Sequence, residues 1–110
     1  MKETTQIKLS EKDFSHTVED LLDLFHWQWS HSRPARTKYG WTTALSGKKG
    51  EPDYRALRPP RYLLLELKTE EGKLTPEQQE WADLLLACPG IEYHLFRPSD
   101  YERIVEILRG

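Results

Sequence analysis

Cysteine is nearly absent: Cys88 is the only one, so no intrachain disulfide can form and the small secreted scaffolds that rely on cross-links are excluded. Long apolar runs are missing too. No stretch approaches the ~18 residues of a membrane span, and the polar start, Met1–Gln6, has no apolar stretch behind it of the kind a signal peptide needs. The expectation is an intracellular, reducing compartment. The four histidines, His16, His26, His31 and His94, show no paired ligand spacing with Cys88, which argues against a zinc site. Internal repeats are also lacking. With 110 residues there is room for one domain, 1–110, and not for two. Hydrophobic residues at 37% and charged ones at 31% give the composition of a soluble globular chain with a modest core, for which dimerisation remains open.

Charge of one sign is scarce in the sum, −2, but not along the chain. Residues 1–25 carry 3 Lys/Arg against 6 Asp/Glu, residues 26–62 carry 8 against 2, and residues 63–110 carry 5 against 10, for nets of −3, +6 and −5. The middle block holds Arg33, Arg36, Lys38, Lys48, Lys49, Arg55, Arg58 and Arg61, interleaved with Trp27, Trp29, Tyr39 and Trp41. Cations clustered with aromatics suit a polyanion such as nucleic acid; the plain alternative is a solvated basic loop.

Capping and periodicity place the elements. Ser10 as N-cap with Asp13 at N3, followed by Phe14, Val18, Leu21, Leu22 and Phe25, predicts an amphipathic helix over 11–25. Residues 27–31 alternate as a short strand. Residues 32–50, broken by Pro34, Gly40, Gly47 and Gly50, predict a long functional loop with room for one hairpin around Tyr39–Ala44. Asp53–Leu57 and Tyr62–Lys68 predict a β-hairpin about Pro59-Pro60, its second strand apolar on both faces and so buried between layers. Thr75-Pro76-Glu77-Gln78 opens a helix whose predicted inner face is Trp81, Leu84, Leu85 and Cys88, ended by Pro89-Gly90. A strand over 91–96 and a last helix from a Ser99–Glu102 capping box through Ile104, Val105 and Leu108 complete an α/β chain.

The chemistry concentrates in Pro52-Asp53 and Glu66-Leu67-Lys68. If the hairpin turns about the two prolines, paired positions sum to 119, which sets Asp53 opposite Glu66 on one face, roughly 5 Å apart, with Lys68 beside them. Two such carboxylates repel unless a divalent cation lies between them, and Mg²⁺ with hard oxygen ligands serves phosphodiester hydrolysis. An adjacent lysine could orient or deprotonate water or neutralise charge on the phosphate. With 12 Glu and 8 Lys an E-x-K triplet also arises by chance, and Glu71-Gly72-Lys73 is a second copy. That copy lies in a polar turn, whereas Glu66 and Lys68 interrupt an apolar strand where unpaired charge is costly. A structural Glu66–Lys68 ion pair is the alternative.

Gly50-Glu51-Pro52-Asp53, Glu66-Leu67-Lys68 and Gly72-Lys73-Leu74-Thr75-Pro76-Glu77-Gln78 together resemble the VRR-NUC domain, the virus-type replication-repair nucleases of the PD-(D/E)xK superfamily. The likeness extends to the Glu11…Phe14 helix, Arg33–Thr37, Gly40-Trp41 and Arg97–Asp100, as in small stand-alone phage and bacterial members. It implies a restriction-endonuclease-like core, a central mixed sheet flanked by helices in the order α-β-β-β-α-β-α. It further implies a metal-dependent DNA endonuclease in which Asp53, Glu66 and the main-chain carbonyl of Leu67 bind Mg²⁺ or Mn²⁺ and Lys68 acts on water. Stand-alone members resemble Holliday-junction resolvases, homodimers acting on branched DNA in repair, which implies the cytoplasm of a bacterium or a phage-infected host. Glu51 departs from the more usual apolar residue before Pro-Asp, an extra acid that could alter metal affinity.

A further acidic residue is expected from the first helix. Glu11 falls within the apolar arc of Phe14, Val18 and Leu22 and can point toward the metal, whereas Glu19 lies well outside it; the plain reading of Glu11 is a first-turn acid favoured by the helix dipole. Gln78 is the N3 member of a capping box, and the resemblance adds support of the active site. Arg33, Arg36, Lys38, Lys48 and Lys49 are the expected phosphate contacts, with Trp41 as the aromatic to test against DNA and His31 beside them. Two other readings stay open, a non-cleaving DNA-binding module of the same fold and a small protein–protein adaptor. The dimer surface is open between the C-terminal helix and the aromatic 27–41 stretch.

Overall fold

Burial on both faces of a seven-residue strand organises the molecule. In the computed structural model, which describes residues 9–32, 35–37, 40–42 and 46–110 and for 35–37 and 41–42 the backbone alone, the elements are α1 (Glu11–Leu24), β1 (Gln28–His31), β2 (Ala35–Thr37), β3 (Gly40–Thr42), β4 (Tyr54–Arg58), β5 (Arg61–Leu67), α2 (Pro76–Leu86), β6 (Glu92–Phe96) and α3 (Tyr101–Arg109), with a 3₁₀ turn at Pro98–Asp100. The main sheet is mixed, in the order β1-β4-β5-β6, and β2 and β3 form a separate hairpin. The loop expected over 32–50 thus contains its hairpin, starting at Ala35 rather than near Tyr39. Tyr39 and Ala44 lie outside the described residues.

β4 and β5 pair antiparallel with Tyr54 opposite Leu65 and Arg58 opposite Arg61, so the sum-of-119 register holds and the turn is Pro59-Pro60, whose peptide bond is cis. β6 joins β5 in parallel, Leu65 against His94 and Leu67 against Phe96. A parallel neighbour needs a crossover, which α2 supplies. Leu63, Leu65 and Leu67 face the main core with Tyr54, Ala56, Phe14, Val18, Leu22, Ile104 and Leu108, so α1 and α3 cover one face of the sheet. Strand alternation turns Leu64 and Glu66 to the other face, where α2 lies.

Ser10 caps α1 by accepting the Asp13 N–H at 3.1 Å. The helix ends in a Schellman arrangement, Trp27 N–H to the Leu22 carbonyl and His26 N–H to Asp23, with His26 at φ +67° where glycine is usual. At α2 the Thr75–Gln78 capping box forms in both directions. Its buried residues are Ala82 and Leu85; of the expected face of Trp81, Leu84, Leu85 and Cys88, Leu85 is buried and Trp81 half-buried, whereas Leu84 is 63% exposed and Cys88 is exposed. α2 covers only part of its sheet face, and a narrow stripe suffices. The Ser99–Glu102 box is also replaced. Asp100 accepts the Arg97 N–H at 2.8 Å, and Ser99 turns to the Glu70 carboxylate, because the chain enters α3 through the 3₁₀ turn.

Candidate functional site

The open end of the β4–β5 hairpin gathers the charges. Extending the register one step past Tyr54–Leu65 sets Asp53 opposite Glu66. One step further Pro52 faces Leu67. Proline has no N–H, so it cannot close that rung onto the Leu67 carbonyl, which alternation turns toward the β4 side. On the other side, Lys68 N–H completes the β5–β6 ladder to the Phe96 carbonyl at 3.0 Å.

Glu66 is 2% exposed, the sole buried charged residue among those described. Burial first, then the Asp53 carboxylate and more weakly Glu11, push its pKa from the usual 4.5 up to about 7, with Lys68 pulling the other way. Asp53 is raised as well, chiefly by burial and then by Glu11, against the lowering effect of His31 and Lys68. The side-chain amide of Gln78 donates to Glu66 at 3.4 Å, while its oxygen accepts the Thr75 N–H at 2.9 Å. The cap and the carboxylate contact therefore coexist in one side chain. Glu11 is exposed on the first turn of α1, yet close enough to act on both carboxylates. Lys68 is half-buried.

Glu19 departs from its expected place outside the apolar arc. It is half-buried, accepts the Tyr54 hydroxyl and lies 3.6 Å from His31 Nδ1. The His31 ring stacks on Tyr54 at 3.9 Å. The apolar arc marks only the centre of the buried face, and β1, packed against α1, carries polar groups round to its flank. Tyr54 and His31 were the residues that sequence reasoning missed in this role; their only signal is adjacency to Asp53, by chain for Tyr54 and across the sheet for His31. Glu51 pairs with Arg55 at 3.4 Å on the surface and does not join the acidic group.

The connection from Lys68 to Gln78 is held from outside. Arg97 Nη1 donates to the carbonyls of Thr69 and Gly72, both at 2.6 Å, and Glu70 receives the Ser99 hydroxyl at 3.0 Å. The Ser46–Gly50 segment is held in turn: Trp81 Nε1 donates to the Lys49 carbonyl at 3.0 Å. Gly50, at φ +103°, lies so close to α2 that a Cβ would sit 2.7 Å from the Glu77 carbonyl carbon. Lys48 and Lys49 are exposed on this segment.

The basic block divides. Arg58 and Arg61 are committed to helix ends and to Glu92, and Arg55 to Glu51, so these three are removed from the expected polyanion surface. Arg33 and Lys38 lie outside the described residues, as do the side chains of Arg36 and Trp41.

Among the described residues no three His, Cys, Asp or Glu side chains converge on one point that could hold a metal ion. The candidate donor set is instead two carboxylates and one carbonyl, Asp53, Glu66 and Leu67. Hard oxygens are the donors that Mg²⁺ or Mn²⁺ prefers, and two facing carboxylates, one of them buried, are what a cation would relieve. Among the described residues no helix is long and apolar enough to cross a membrane. No protein-family model matches the chain, and neither does any curated protein or solved structure.

Proposed function

We propose that the chain is a metal-dependent DNA endonuclease with a PD-(D/E)xK core of the VRR-NUC kind, hydrolysing phosphodiester bonds in branched DNA. The observation that carries this reading is Glu66, a buried carboxylate facing Asp53, with Lys68 on the same face at the open end of a hairpin. A buried charge of this kind destabilises the fold and has no packing purpose.

Asp53, Glu66 and the Leu67 carbonyl would hold Mg²⁺ or Mn²⁺, which supplies acidity to water and polarises a phosphate oxygen. Lys68, on the same face of β5, would hold the attacking water by hydrogen bond and neutralise the charge growing on the phosphate. Gln78 donates to the Glu66 carboxylate from the capped start of α2 and would help to orient it. Glu11 adds negative charge beside the pair and so favours a cation there. His31, held against Glu19 and Tyr54, flanks Asp53. Lys48 and Lys49, with Arg33, Arg36 and Lys38 of the basic block and Trp41, supply phosphate and strand contacts that carry no base sequence information. A homodimer would present two such sites to a four-way junction.

Cleavage of labelled four-way junction, flap and linear duplex DNA in Mg²⁺ or Mn²⁺, beside Lys68→Ala, tests the reading. Wild-type cleavage that falls at least ~100-fold in Lys68→Ala supports it. Binding that persists in EDTA with no cleavage of any substrate in Mn²⁺ replaces it with a non-cleaving module, and binding of neither kind replaces it with an adaptor.

A further inference from the structure

Between the Ser46–Gly50 segment and α2 lies a groove of about 220 Å³ lined by Lys48, Glu80, Trp81 and Leu84. The groove is not accounted for by core packing: Leu84 is 63% exposed, and the buried side of α2 is Ala82 and Leu85. The Trp81 indole N–H is already bonded to the Lys49 carbonyl, which fixes the ring and leaves its π-surface as what it can offer a ligand. Glycine at position 50 holds the Lys48–Lys49 segment at this distance from the helix.

We infer that this groove takes an unpaired nucleobase of the DNA strand, stacked on Trp81 and against Leu84, with the Lys48 ammonium on the neighbouring phosphate. The inference rests on the nuclease reading and adds that the substrate has a single-stranded or unstacked nucleotide next to the cleavage position. Three properties of the groove support a nucleotide over a plain apolar ligand. Its floor is aromatic and aliphatic, as stacking platforms for single strands are. Its rim carries a cation for phosphate, Lys48, with Lys49 exposed beside it on the same segment. Glu80 offers an acceptor for the exocyclic amino group of cytosine or adenine. Position completes the argument. Trp81 lies three residues after Gln78, about 4.5 Å along the helix axis, and Gln78 touches Glu66. The groove and the acidic site are thus linked through one helix, α2, which carries both Gln78 and Trp81.

The experiment uses the full chain in EDTA, so that no strand is cut, with a fluorescently labelled oligodeoxycytidine and a fully paired duplex of equal length as probes. Leu84→Trp fills the groove from an exposed position and Leu86→Ala, at an equally exposed leucine outside it, is the control. Leu84→Trp is expected to weaken oligodeoxycytidine binding about tenfold, the worth of one stacked base, while duplex binding and Leu86→Ala stay at wild-type affinity. In a second measurement, oligodeoxycytidine quenches the tryptophan emission of the wild type and the quench is clearly reduced in Trp81→Phe, the remainder coming from Trp41. Unchanged oligodeoxycytidine affinity in Leu84→Trp, or a quench of full size in Trp81→Phe, overturns the groove assignment. If the duplex is still cut in Mn²⁺, the nuclease reading survives that loss. No wild-type binding to either probe, with no cleavage in Mn²⁺, overturns both.

Discussion

The two ends of the β4–β5 hairpin use the same kinds of residue to opposite effect. At the turn end Arg61 makes a bidentate pair with Glu92, Nε and Nη2 each at 2.7 Å, and its Nη1 donates to the Ile107 carbonyl at 2.9 Å. Arg58 donates to the Phe25 and Leu108 carbonyls at 2.9 and 3.0 Å, and both guanidinium groups lie over the Trp27 ring. Trp27 Nε1 donates to Leu108 as well. The C-terminal carbonyls of α1 and α3, where the helix dipoles are negative, are thus met by cations. Every charge there has a partner, and the Glu92 carboxyl is held down to about 2, chiefly by the Arg61 hydrogen bond. At the open end carboxylate faces carboxylate, and Glu66 is driven up to about 7. One end is built for stability. The other leaves two acids facing each other, an arrangement that a bound cation would relieve.

The comparison is broken most directly through activity. Glu66→Gln is expected to reduce Mn²⁺-dependent cleavage about 1,000-fold, whereas Arg61→Ala leaves the rate per folded molecule unchanged; equal losses in a cleavage assay would erase the distinction between the ends.

Stability against pH sharpens it. Glu66 has a folded pKa above its unfolded value, so in the metal-free protein its stabilising effect is full below 4.5 and is lost as pH rises toward about 7. Glu92 has the opposite sign: its contribution is present above 4.5 and is lost as pH falls toward about 2. Chemical denaturation across pH should therefore show a decline of roughly 3 kcal/mol on the alkaline side that Glu66→Gln removes, and saturating Mn²⁺ should flatten the same decline. An unchanged alkaline limb in Glu66→Gln counts against the buried charge as its source.

Arg61→Ala should lower stability by about 2 kcal/mol, the loss of a bidentate charge-assisted pair and a helix-end bond, read from the midpoint of urea unfolding. The smallest effect is expected next to it. His26→Gly relieves a positive φ at the end of α1 and should raise stability by about 0.5–1 kcal/mol; a decrease would mean that the imidazole makes a compensating contact.

Much of the site was legible because it follows from counting. A two-residue turn at Pro59-Pro60 sets the register, and period-2 alternation then joins Asp53, Glu66 and Lys68 on one face without knowledge of anything else in the fold. Gln78 was legible as a cap because Thr-Pro-Glu-Gln is a local signal. Glu19 was not, since its burial depends on where β1 lies against α1, and that placement has no mark within the helix. Leu84 misled for a related reason. A helix packed chiefly on the edge strand β6 buries a narrower stripe than its apolar residues suggest, and the surplus leucine lies in the Trp81 groove. The commitments of Arg58 and Arg61 were hidden for longer-range reasons still, because their acceptors are carbonyls 33 to 50 residues away.

By itself, then, the sequence determined the elements, the hairpin register and the convergence of two acids and a lysine, all consequences of contacts within about 15 residues along the chain. The tertiary structure alone decided which charges are satisfied. Whether a guanidinium finds a helix end or a carboxylate is stranded in a dry layer depends on which surfaces meet when α1, α2 and α3 close over the sheet. Burial, unlike periodicity, is a property of the whole assembly.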